Sequence, residues 1–118
     1  MKDRMNDMTV KELAEKTGWE VIAGSPDGSV TSAYVCDLLS WVMAHGRQGM
    51  AWVTVQTHLN VVAIASLHEF SCVIIPESIE VSKDTIDAAN EKCVCLLKAD
   101  CTSYGAAKAM AALGVGEV

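Results

Sequence analysis

No Gly-x-x-x-x-Gly-Lys-[Ser/Thr] segment occurs anywhere in the 118 residues. The loop that cradles phosphates in P-loop kinases is therefore missing, which disfavours that chemistry outright. No Gly-x-Gly-x-x-Gly follows the first expected strand, and no Gly-x-Ser-x-Gly elbow is present. Basic residues are few: nine Lys and Arg are scattered among fifteen Asp and Glu, for a net charge of −6. Phosphate backbones and anionic membrane surfaces both call for clustered cations, so nucleic acid and membrane are not expected partners. The apolar run over residues 61–75 is interrupted by Ser66, His68, Glu69 and Ser71, which rules out a bilayer span. Residues 1–7 are polar and lack the apolar core of a secretory signal. The expected location is therefore the cytoplasm, with the five cysteines as reduced thiols. There is no Cys-x-x-Cys pair, and no nearby His completes a tetrahedral set around Cys93, Cys95 and Cys101. These cysteines, with Cys36 and Cys72, are read as small buried hydrophobes, and no metal or cofactor is expected.

Half the chain is apolar and a fifth is charged, the balance of one compact domain spanning 1–118, with frayed ends at 1–7 and 114–118. Thr9-Val10-Lys11-Glu12 is a capping box that starts a helix, and Gly18 stops it. Residues 19–23 read as a strand, Ser25-Pro26-Asp27-Gly28 as a tight turn, and residues 30–36 as the returning strand of an antiparallel hairpin. From there strands and helices alternate. Strands are expected over 50–55, 72–75 and 94–97. Helices are expected from Asp37 to about His45, from Thr57 to about Glu69, after Ser82, and after Thr102 or Ser103. Ile86, Ala89 and Cys93 face the core from the third of these, and Ala106, Ala107, Met110 and Leu113 from the last. This order predicts a small layered α/β domain: a mostly parallel sheet of about five strands, an N-terminal antiparallel hairpin, and helices on both faces.

In such folds ligands lie at the carboxyl ends of the strands. Asp37 and Ser40 follow one strand there, and Gln56, Thr57, His58 and Asn60 follow the next. Asp37, Thr57 and Thr102 are each explained as helix caps. Capping does not explain the crowding of Gln56, His58 and Asn60 into one turn, where imidazole and carboxamide can read a small anion or hydroxyl. Asp37, Ser40, Gln56, Thr57, His58 and Asn60 are thus the candidate ligand site, and no residue is assigned a catalytic role. The 58–69 helix is apolar nearly all round, which predicts burial on both sides and hence a homodimer through it or through the 41–43 helix.

The segments V-C-D-L-L-S-W-V-M at 35–43 and V-Q-T-H-L-N-V-V-A-I-A-S-L at 55–67 resemble the DRTGG domain family, in particular its short stand-alone members. The likeness runs from Met8 to Leu113. It implies a fold similar to the N-terminal domain of HPr kinase and to the uridine-nucleotide-binding domain of Mur ligases. Members of the family also serve as accessory modules in phosphotransacetylases and, beside CBS domains, in regulated pyrophosphatases, with roles in regulation or dimerisation. In HPr kinase the P-loop belongs to a different domain, so the resemblance does not bring phosphotransfer with it. At the signature segment this chain reads Asp27-Gly28-Ser29-Val30-Thr31: the Asp is kept and the Arg is absent. The expected function is a regulatory domain that senses a small anionic metabolite of the nucleotide kind. The alternative is a protein-interaction or dimerisation module without a ligand, and a serine-kinase-like phosphotransfer enzyme comes third.

Overall fold

The computed structural model describes residues 7–118. Its elements, in chain order, are β1 (Met8–Thr9), α1 (Val10–Thr17), β2 (Glu20–Ala23), β3 (Ser29–Val30), β4 (Ser32–Val35), α2 (Leu39–His45), β5 (Met50–Val53), α3 (Leu59–His68), β6 (Cys72–Ile75), α4 (Lys83–Glu91), β7 (Leu96–Lys98) and α5 (Ser103–Ala112). Five strands form one sheet in the order β2-β7-β6-β5-β4, and β1 pairs with β3 in a second, two-stranded sheet. Strands β4 to β7 are mutually parallel, whereas β2 runs antiparallel to β7.

The α/β architecture is as expected, but the antiparallel partners are not. Strands β2 and β4 do not pair; they occupy opposite edges of the main sheet. The turn over 25–28 closes no hairpin, because its carbonyls serve α1 instead. Val10 N–H donates to Gly28 O at 2.9 Å and Lys11 N–H to Pro26 O at 3.1 Å, satisfying amides that a helix start leaves open. The strand expected over 30–36 is accordingly broken at Thr31: β3 turns to β1, while β4 joins β5.

Helix α1 begins as its sequence dictates. The Thr9 hydroxyl accepts from Glu12 N, and the Glu12 carboxylate accepts from Thr9 N, the reciprocal pair of a capping box. These hydrogen bonds from Thr9 hold the Glu12 carboxyl below its usual range. Gly18 closes the helix in the left-handed region at φ 81.

Alternation along the strands sorts the core into two layers. Met50, Trp52, Val73, Ile75 and Leu96 pack with Val42 of α2, Val61, Val62, Ile64 and Ala65 of α3, and Ala89 of α4. On the other face Ala51, Val53, Cys72, Ile74, Cys95 and Leu97 pack with Val10 and Leu13 of α1 and Ala106 and Met110 of α5. The strand order β4-β5-β6-β7 advances one step at a time, and its three crossovers leave α2, α3 and α4 side by side on one face. Helix α3 thus gains its cover from α2 and α4, which leaves Leu59, Ala63 and Leu67 as an exposed stripe at i, i+4 and i+8. The 114–118 segment, expected to fray, lies along the outer edge of β4, where Ala33 N–H donates to Gly116 O at 2.8 Å.

Candidate ligand-binding rim

Asp37 is the residue that joins the ends of β4 and β5. Its Oδ1 accepts from Thr54 Oγ1 at 2.8 Å and from Val55 N–H at 2.9 Å. In return Gln56 Nε2 donates to Asp37 O at 3.2 Å, and Gln56 N–H donates to Thr54 Oγ1 at 3.1 Å. Thr54 is buried, so its hydroxyl needs this partner. Asp37 was expected to cap α2, but its carboxylate is committed across the strands. Leu38 occupies the cap position without a side-chain bond.

The start of α3 also differs by one residue from the expected one. His58, not Thr57, is the cap: its Nδ1 accepts from Asn60 N–H at 3.1 Å. Thr57 is half-buried, and its carbonyl accepts from Thr85 Oγ1 at 2.9 Å, which ties this turn to α4. With Nδ1 accepting, the neutral His58 ring carries its proton on Nε2. Ser40, Gln56, His58 and Asn60 are exposed. Asp37 and Gln56 are thus in direct contact, and His58 and Asn60 are bonded to each other. Ser40 sits in the first turn of α2, with no bond that ties it to the others.

The rim between β4 and β5 is not where the sheet's topology reverses. Crossovers from β4, β5 and β6 pack on one face, while α5, following β7, packs on the other. The switch point therefore falls between β6 and β7. There the two loops close on each other: Glu77 N–H donates to Cys101 O at 2.7 Å and Ser78 N–H to Ala99 O at 3.0 Å. Sequence order alone could not locate this reversal, because it depends on which face α5 takes.

The cysteines divide by environment. Cys72 and Cys95 are buried, and burial raises both thiols, Cys95 to about 11. Cys36 and Cys101 are half-buried. Cys93 is exposed, contrary to expectation. Helix α4 stops at Glu91, and the chain then turns through the left-handed region at Cys93, φ 59. Among the described residues no group of three or more His, Cys, Asp or Glu could hold a metal ion. No helix among them is long and apolar enough to cross a membrane.

No protein-family model and no curated protein matches this chain. Among solved structures it is similar to the CBS and DRTGG domains of the regulatory region of Clostridium perfringens pyrophosphatase, a crystal structure in complex with the activator diadenosine tetraphosphate. The TM-score is 0.72 at 12% sequence identity, and the match covers 93% of this chain and 50% of that one. At that identity the likeness shows the fold: the chain adopts an α/β architecture similar to one found in a DRTGG-containing regulatory region.

Proposed function

We propose that this domain is a non-catalytic regulatory module that senses a small anionic metabolite of the nucleotide class, acting as a homodimer. The observation that carries this reading is the similarity of nearly the whole chain to a regulatory region crystallised with a nucleotide activator. The Asp37–Thr54–Gln56 network supports the carboxyl ends of β4 and β5 as the place of binding. It fixes the turn that presents Gln56, His58 and Asn60 to solvent. In this reading Asp37 is a positioning residue, since its Oδ1 is occupied by Thr54 and Val55. His58 Nε2–H and the Asn60 carboxamide supply hydrogen bonds to the ligand, with the Ser40 and Thr57 hydroxyls as further contacts in this reading.

Isothermal titration of the intact protein with AMP, ATP, UMP and diadenosine tetraphosphate tests the assignment. Saturable binding is expected for at least one nucleotide, weakened at least about tenfold by His58→Ala and by Asn60→Ala, about 1.4 kcal/mol each. No heat from any of the four, or affinity unchanged in both variants, removes the site.

A second reading, an interaction module without a small ligand, is favoured by one feature. Leu38 and Trp41 near and on α2, and Leu59 and Leu67 on α3, are exposed by 61, 52, 46 and 67%. Large apolar side chains concentrated on two adjacent helices are the usual mark of a protein-binding surface.

A further inference from the structure

The opposite rim of the sheet holds a cleft that the regulatory reading does not use. Its volume is about 700 Å³, inside the range of roughly 300–1,000 Å³ typical of small-molecule sites. Thr31 enters it just before β4, Gly49 just before β5 and Ser71 just before β6, while the 25–29 loop forms the facing wall. The walls are fixed by main-chain and hydroxyl bonds. Thr31 N–H donates to Gly49 O at 2.9 Å, Gly49 N–H to Glu69 O at 3.0 Å, and Ser71 Oγ to Gly49 O at 2.9 Å. Gly49 is required there: at φ 80, an added Cβ would lie 2.7 Å from Thr31 Oγ1.

The chemistry of the lining selects the occupant. Asp27 and Glu69 are its charged residues, and no Lys, Arg or His lines it among the described residues. Hydroxyls of Ser25, Ser29 and Thr31 and the Gln48 carboxamide add acceptors, and Phe70 contributes an aromatic surface. Asp27 Oδ2 accepts from Ser25 Oγ at 2.6 Å, which holds the carboxylate in place at the wall. The lining itself carries two negative charges and no positive one, with Arg47, His68 and Lys92 next in sequence to lining residues, so the cleft wall favours a cation over an anion.

We infer that this cleft is a second binding site, for a small organic cation bearing ammonium and hydrogen-bond-donor groups, with Asp27 and Glu69 as its charge partners. The site stands independently of the nucleotide reading. Spermidine is the probe, followed through the backbone amide resonances of the isotope-labelled protein. Saturable shifts at Gly28, Gly49 and Ser71 are expected, with apparent affinity reduced at least tenfold in Asp27→Asn/Glu69→Gln. Asn keeps an acceptor for Ser25, and Gln keeps the length of Glu69, so the variant is expected to retain the wild-type far-ultraviolet dichroism. Wild-type mapping decides the matter even if the variant unfolds. Shifts absent from the three cleft amides, or spread without saturation over the acidic surface, overturn the proposal. Undiminished shifts in a folded variant overturn it too. AMP serves as the control and is expected to leave the cleft amides unmoved.

Discussion

At the scale of single residues, the side chains with the sharpest consequences are those whose environment departed from the sequence pattern. Five cysteines looked alike as small hydrophobes in or beside apolar runs. Cys72 on β6 and Cys95 just before β7 do lie in the core, but Cys93 follows a helix end whose left-handed turn no periodicity announces. Reactivity follows from this division, because the thiolate is the nucleophile and burial disfavours it. Brief treatment of the native protein with iodoacetamide at mildly alkaline pH is therefore expected to alkylate Cys93 first. Cys72 and Cys95 should be modified only after unfolding, as read by peptide mass spectrometry. Early labelling of Cys95 would contradict its place between the sheet and the α1/α5 layer. Asp37 teaches the same lesson. Its position after a strand was legible, but its commitment to Thr54 and Val55 depends on a neighbouring strand and could not be read from its own segment.

Among elements, the starts of α1, α4 and α5 were the most legible, because a cap is a local hydrogen bond between residues two or three apart, whereas the caps expected for α2 and α3 fell one residue later. Thr9, Ser82 and Thr102 each accept from the amide their spacing assigns. The connection after β2 was the least legible. A Ser-Pro-Asp-Gly turn between two strand-like runs suggests a hairpin, yet the partners were decided by β7 and by the open amides of α1. Gly24 marks the place where that connection passes over the start of β7. At φ 71, a Cβ added there would collide with Val94 O, whereas at Gly18, φ 81, an added Cβ meets nothing within 4 Å. Gly18→Ala thus carries backbone strain alone, of about 1 kcal/mol. Gly24→Ala adds a collision with main chain and is expected to cost at least about 2 kcal/mol. Urea unfolding of the two variants side by side measures the difference. Equal losses would mean that the 24–28 segment does not cross β7 so closely.

Over the whole molecule, the fold class was legible because fully apolar strands such as 72–75 demand cover on both faces, and the alternating helices supply it. Most of α3 is covered within the chain, and what stays open is the narrow Leu59–Ala63–Leu67 stripe, with Trp41 exposed on the neighbouring α2. If the homodimer forms through this stripe, sedimentation of the wild type gives a dimer, and Trp41→Lys/Leu67→Lys gives a monomer with unchanged helical content. A wild type that sediments as a monomer at all accessible concentrations would refute the dimer. The margins of the main sheet bear on the same question. One is met by the chain's own C-terminal end, where Ala33 bridges Glu117 and bonds Gly116, and the other carries an irregular register at Val21/Ala23 and the charge of Glu20. Both margins are thus interrupted as templates for a further strand. Self-association of this protein must therefore be written in side chains, where a point substitution can tune it, rather than in backbone, where it would shade into open-ended fibre growth.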